Sequence, residues 1–225
     1  MKHFFPKSAL GTLLLLLALT AVRAQVYSKV GTANRNILNA KESRAGLVGE
    51  PYLFRDFKKA AVKFAGGTSS PGFYEIKYDQ LEELVVTKGK DAEDELTFSD
   101  PVAEFKFDDS GRLFRNGYNA VDKSTEKSFY EVIYDGKTQY LKRLTKVIIE
   151  AKEYNVATVT KKIENETALY IAKADKKPIA VKANEKTVLK ALGKEAEISK
   201  YIKDNKLNLK SDADMIKLLT YYDTL

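Results

Sequence analysis

Between Pro51 and about Ala183, apolar residues recur at every second position. In "GFYEIKYD", Tyr74, Ile76 and Tyr78 alternate with Glu75, Lys77 and Asp79. In "ELTF", Leu96 and Phe98 alternate with Glu95 and Thr97, and in "AEFKFD", Ala103, Phe105 and Phe107 alternate with Glu104, Lys106 and Asp108. Successive side chains of a strand point to opposite faces, so period two with one polar face predicts half-buried antiparallel strands. Aromatic and β-branched residues fill the inward positions, as a pleated surface favours. Glycine-containing turns separate the runs at "AGGTSSPG", "TKGKDAED", "DDSGR" and "YDGKT". The clearest hairpin spans Ser128–Tyr134 and Thr138–Ile149. Its Asp135-Gly136 pair predicts a type I′ turn with positive φ at both central residues.

After Ala183 the period lengthens. Asn184 and Gly193 bracket a run with Val188, Leu189 and Leu192 on one face. Ile198, Tyr201 and Ile202 follow at helical spacing. Ser211 with Asp214 three residues on resembles a capping box ahead of Met215, Leu218, Leu219 and Tyr222. Three short helices are predicted, each with an apolar stripe to bury. No helical segments alternate with the strands and the connections are short, so the expected class is α+β: a mainly antiparallel β-meander, curved or partly closed, with C-terminal helices packed on the sheet. The expected organisation is a signal peptide over 1–24, a loose leader over 25–50, the meander over 51–183 and the helices over 184–225.

The N-terminal segment changes the charge reading. "MKHFFPK" is basic, "SALGTLLLLLALTAV" is apolar, and Val22 and Ala24 form a small-residue cleavage motif, with cleavage expected between Ala24 and Gln25. The apolar run is shorter than the roughly 20 residues that a spanning helix needs, so no transmembrane span is expected in the mature chain. Removing residues 1–24 takes away Lys2, Lys7 and Arg23 and no acid. That leaves 35 basic against 31 acidic residues and lowers the formal charge from +7 to +4. A mildly basic, well-mixed chain lacks a nucleic-acid footprint, and no nucleic-acid partner is expected.

The chain has no Cys and no Trp, and its one His is His3, inside the segment to be removed. The mature chain therefore lacks the residues of a Ser-His-Asp triad, a Cys-His pair, a thiol redox site or an ordinary zinc site, and no cofactor is expected. The acids Asp91, Glu93, Asp94, Glu95, Asp108 and Asp109 sit on turns beside lysines, which predicts a solvated rim rather than a catalytic pair. They also lack the spacing of a calcium-binding loop. A better candidate for contact with a ligand is Glu131, inward beside Phe129 and Ile133. Lys142 and Arg143 are further weak candidates, because they are adjacent and point to opposite faces of one strand, which gives one of them the chance of an inward place. The many Phe and Tyr residues read first as core.

The stretches "EPYLFRDFKKAAVKFAGG", "DELTFSDPVAEF", "FYEVIYDGKTQYLKR" and "VLKALGKEAEISKYIKDNKLNLKSDADMIKLLTYYDTL" resemble small secreted bacterial proteins of unknown function. The resemblance covers most of the mature chain, carries no catalytic motif and implies an exported, soluble or envelope-associated protein of a Gram-negative bacterium. The favoured expectation is a non-catalytic module, periplasmic or secreted, that binds a protein or envelope component through its outer face. The alternative is a carrier or chaperone of an apolar, lipid-like ligand held inside the sheet. A carboxylate-based hydrolase ranks behind both.

Overall fold

Ten strands and then three helices follow one another along the chain: β1 Lys58–Phe64, β2 Tyr74–Asp79, β3 Leu84–Lys88, β4 Glu95–Thr97, β5 Val102–Phe107, β6 Leu113–Arg115, β7 Tyr130–Asp135, β8 Gln139–Lys152, β9 Val159–Ala172, β10 Pro178–Val181, α1 Glu185–Leu192, α2 Glu195–Asp204 and α3 Asp212–Tyr222. The structure is a computed structural model that describes residue 44 and residues 46–89, 94–152 and 159–225. The expected signal segment, its Ala24–Gln25 junction and most of the leader lie outside the described residues.

All strand pairs within the sheet are antiparallel, in the order β10-β9-β8-β7-β6-β5-β1-β2-β3-β4. The order is not a single meander. β1 to β4 form one run of hairpins, and the chain then returns so that β5 pairs with β1, a Greek-key-like step. Residues 98–101 make that return. On a flat sheet β4 and β5 would lie about 19 Å apart, four strand spacings. Thr97 and Val102 are five Cα steps apart, a reach of at most about 18 Å. The first half of the sheet must therefore curl.

A second contact shows the same curl. β2 and β8 are five strand spacings apart, about 24 Å if flat. Yet Gln80, just past β2, donates from Nε2 to the Leu144 carbonyl of β8 at 2.9 Å and accepts at its own carbonyl from the Lys146 N–H at 3.3 Å. β7 ends its pairing with β8 at Glu131↔Lys142, and the β2–β3 turn occupies the vacated edge. The curl stops short of a closed barrel: β4 and β10 remain edges.

Directly opposed residues share a face, so the pairs Phe114↔Glu131 and Glu131↔Lys142 put these three side chains on one side. That inner face carries two cores. Over β1–β6, Val62, Ile76, Tyr78, Phe105, Phe107, Phe114 and Phe129 form an aromatic-rich cluster. Over β7–β10, Tyr140, Ile171 and Val181 pack under Val188, Leu192, Ile198, Ile202, Met215, Leu218 and Leu219 of the helices. The helical stripes are those the periodicity indicates. On the outer face, Tyr130, Leu141 and Tyr170 are covered by Tyr118 and Val121 from the β6–β7 connection.

Several local expectations change. In β4 the buried residues are Glu95 and Thr97, with Leu96 only half-buried, because Tyr52 and Lys77 cover the Glu95 face (below). The β7–β8 turn is Gly136–Thr138 between paired Asp135 and Gln139. Neither Asp135 nor Gly136 has positive φ, so it is not type I′. Gly136 is needed for space: a Cβ there would collide with the Asp223 carboxylate and the Tyr134 ring. A register shift between Val132 and Tyr134 resets the alternation and brings both Ile133 and Tyr134 against the helix core. Asn184 caps α1 as expected, its Oδ1 accepting from Thr187 N at 3.1 Å, and Gly193 ends it at φ 75°. Ser211 makes no side-chain cap bond at α3, since Asp214 instead accepts from the Asn208 N–H at 3.0 Å.

Candidate functional sites

Glu131 lies on the inner face and is 8% exposed, as expected of an inward carboxylate. It is not free to react. Arg112 grips it through Nε to Oε1 at 2.6 Å and Nη2 to Oε2 at 3.0 Å. This bidentate pair uses both carboxylate oxygens, while the Arg112 guanidinium also lies over the Phe54 and Phe114 rings. Lys142 and Arg143 take opposite faces. Lys142 bonds the Asp212 carboxylate at the start of α3. Arg143 donates to Glu83 Oε1 at 3.0 Å, while Ser128 Oγ donates to Glu83 Oε2 at 2.7 Å. The three candidates thus do not converge on one site: each fastens a neighbouring element to the sheet.

A denser polar cluster lies where the chain before β1 crosses the end of β2. Backbone bonds set it up: Leu53 N to Tyr78 O at 2.8 Å and Gln80 N to Pro51 O at 2.9 Å. Asp79, 2% exposed, pairs with Arg44 and accepts from the Leu81 and Glu82 N–H groups at 3.0 and 3.1 Å. Burial raises its pKa, and the Glu82 N–H bond and Arg44 oppose that rise. Glu95, far from being a solvated turn acid, is buried and accepts from Tyr52 Oη at 2.9 Å and Lys77 Nζ at 3.3 Å. Burial also raises the Tyr52 pKa and lowers that of Lys146, whose Nζ donates to the Glu50 carbonyl. Perturbed ionisable groups often mark functional sites, but structural ion-pair networks perturb them too. Here the charges line none of the three pockets described below, and the cluster reads as a lock that holds Arg44 and residues 46–53 against the curled sheet.

Open space lies elsewhere. A polar pocket of about 250 Å³ is lined by Lys63, Glu104, Arg115, Asn116, Tyr118 and Lys176 among others. Arg115 there is spent on two carboxylates, Glu104 and Asp135, the latter through two 2.9 Å bonds. Burial pushes the neighbouring Tyr118 hydroxyl up to about 12. A second pocket, also about 250 Å³, opens where β4 fails to close the curl and is lined largely by Leu84, Val85, Phe98, Pro101, Val102 and Phe129. A shallower groove of about 320 Å³ runs beside the stacked Tyr201–Tyr221 pair on α2 and α3, whose rings are 3.9 Å apart. Glu131, Asp79 and Glu95 line none of these three pockets.

Sequence reasoning missed Asp79, Tyr52 and Glu95 as a unit, because their meeting depends on the path of the segment before β1. The place of Glu95 on an alternating strand was the one available signal. Among the described residues no group of three or more His, Cys, Asp or Glu could hold a metal ion, and no helix is long and apolar enough to cross a membrane. The chain matches no family model, and comparison with curated proteins and with solved structures finds no match.

Proposed function

We propose that this chain is an exported, non-catalytic binding module, periplasmic or secreted, that engages a protein or envelope component through its outer surface. The observation that supports it is the packing of the curled inner face. Phe105 and Phe114 stack at 5.0 Å with an interplanar angle of 8°, and Phe129 and Tyr78 lie 5.2 and 5.4 Å from Phe105. A carrier of a lipid-like ligand needs an interior cavity, and rings occupy that volume here. The hydrolase reading is weakened by the same geometry, since the buried carboxylates Asp79, Glu95 and Glu131 are bonded to cations, hydroxyls or backbone N–H groups and line none of the three pockets above. The basic and apolar N-terminal segment with its Val22–Ala24 motif supports export.

Native mass spectrometry of protein recovered from the periplasm or medium, with crosslinking capture in parallel, tests the reading. The expected result is a chain starting at Gln25, without bound lipid, and a crosslinked partner. A copurifying lipid mass would overturn the module in favour of the carrier. A species retaining Met1 would overturn export.

A further inference from the structure

The charge of this protein is unevenly placed. In residues 25–172, 23 basic and 23 acidic side chains cancel, whereas residues 173–225 hold 12 lysines against 8 acids. The +4 of the mature chain therefore sits wholly in the β9–β10 turn, β10 and the helical region. From this asymmetry and its geometry we infer that the β9–β10 turn and α1 form a basic face that docks the chain on an anionic phospholipid surface. The inference deepens the binding reading above, by naming the envelope component, and rests on it.

The surplus is densest over residues 173–194, with seven lysines against Asp175 and Glu185. The fold brings the two ends of this stretch together. Lys173, at the start of the β9–β10 turn, donates from Nζ to the Leu192 carbonyl at the end of α1 at 3.1 Å. Asn119 fixes the turn from another side, through its N–H to the Lys176 carbonyl at 3.0 Å and its Nδ2 to the Asp175 carbonyl at 3.2 Å. Lys176, Lys177, Lys182, Lys186, Lys190 and Lys194 are all exposed, and none makes an ion pair among the described residues. Of the nearby acids, Glu185 accepts from Ser199 Oγ at 2.5 Å and Asp175 from the Lys177 N–H at 3.1 Å. Glu195 and Glu197 follow in the first turn of α2, which leaves a surplus of three positive charges over residues 173–197.

Two ordinary explanations cover only part of this. Lysines and a proline beside a short edge strand block pairing with other chains, which explains Lys176, Lys177, Pro178 and Lys182 around β10. A cation in the last turn of a helix meets the dipole favourably, which explains Lys190. Neither explains Lys186, in the first turn of α1, where a cation opposes the dipole. The backbone at Lys176 and Lys194 is left-handed, with φ 55° and 49°, and glycine or asparagine fits there with less strain. Charge is thus kept at both positions against backbone preference. Clusters of four to eight lysines or arginines bind anionic lipid surfaces, each weighing about fivefold in affinity. Ile179, 40% exposed on β10, adds an apolar contact beside them. A bilayer suits this face better than a free phosphate ion. The six lysines are spread over the turn, β10 and α1, and Lys176 alone among them lines one of the three pockets. Such adsorption is reversed by salt and places no lipid in the interior, which separates it from the carrier reading.

The test is cosedimentation of the mature chain with vesicles of equal parts phosphatidylglycerol and phosphatidylcholine, against vesicles of phosphatidylcholine alone. Binding to the anionic vesicles only is expected in about 0.1 M NaCl, with release in about 0.5 M as the screening length shortens. Lys176→Gly with Lys194→Gly should weaken that binding about 20- to 30-fold. It should leave Tm unchanged or higher, because glycine tolerates both backbone positions. Lys59→Gln with Lys106→Gln removes the same charge from exposed sites on β1 and β5 and should change binding less than about twofold. Absence of binding to the anionic vesicles, equal binding to the neutral ones, or an equal loss in the two double variants would overturn the docking face. Displacement by millimolar inorganic phosphate at constant ionic strength would overturn it in favour of a site for the free ion. If vesicle binding fails while the crosslinked protein partner persists, this face is refuted and the module reading stands.

Discussion

Truncating Phe105 to alanine tests the filled interior most directly. Phe105 is 0% exposed and its ring meets those of Tyr78, Phe107, Phe114 and Phe129 at 5.0 to 5.5 Å. A buried Phe withdraws at least about 150 Å² from water, and about 25 cal/mol per Å² makes that about 4 kcal/mol. Phe→Ala changes in cores span about 3–5 kcal/mol, and loss of several aromatic pairs places this one near the upper end. Against a total stability of about 5–15 kcal/mol, such a loss is severe but survivable. For a chain of this size it corresponds to a fall in Tm of about 8–20 °C. Urea unfolding followed by circular dichroism would show a lower midpoint at unchanged slope. The hole left behind is apolar, so the variant should take up benzene deep in the core where the parent does not. A loss below about 1 kcal/mol would refute the reasoning. It would mean the inner face already contains the void that a carrier requires, and parent protein binding benzene at the same place would say so directly.

Two further predictions rest on particular bonds. Asp223 at the end of α3 accepts from the Thr138 N–H at 3.0 Å and from Tyr134 Oη at 3.0 Å, beside Gly136. Gly136→Ala should cost about 1–3 kcal/mol by overpacking, and less in an Asp223→Ala background, where one obstacle is gone. Simple additivity in a denaturation cycle would place α3 away from this turn. For pH, the Arg115 hydrogen bond holds the Asp135 pKa below the usual carboxylate value of about 3.9. Its stabilisation is therefore present above that value and lost as pH falls through the lower folded value. Asp135→Asn should make stability fall less steeply with acid below about pH 4. Asp79, raised by burial, acts in the opposite sense, so variant and parent are compared at each pH, and parallel curves would count against the Arg115–Asp135 bond.

The candidate site was only partly legible in the sequence. Glu131 was recognisable as inward because strand alternation reports facing, and facing is local. Its partner Arg112 is 19 residues away, and nothing in either neighbourhood joins them. The solvated reading of Glu95 failed for a related reason. A charge cluster near a turn is usually exposed, and whether another segment covers it depends on Tyr52, 43 residues earlier. The pocket beside Phe98 and Phe129 draws on four separate stretches of chain and has no sequence signature at all.

Strand positions, the switch to helices after Ala183 and the apolar stripes of α1–α3 follow from periodicity, because burial of one face per element is a local requirement on spacing. The absence of Cys, and of His outside the N-terminal segment, limits the chemistry whatever the fold. What tertiary structure decided is the order of the strands and the consequences of that order. Pairing β5 with β1, and docking Gln80 on β8, bends the sheet around its aromatic side chains. That curvature determines which acids are buried, which cations they meet and where an opening is left. These are long-range contacts between segments whose own patterns are equally compatible with a flat meander, so only the folded chain selects among them.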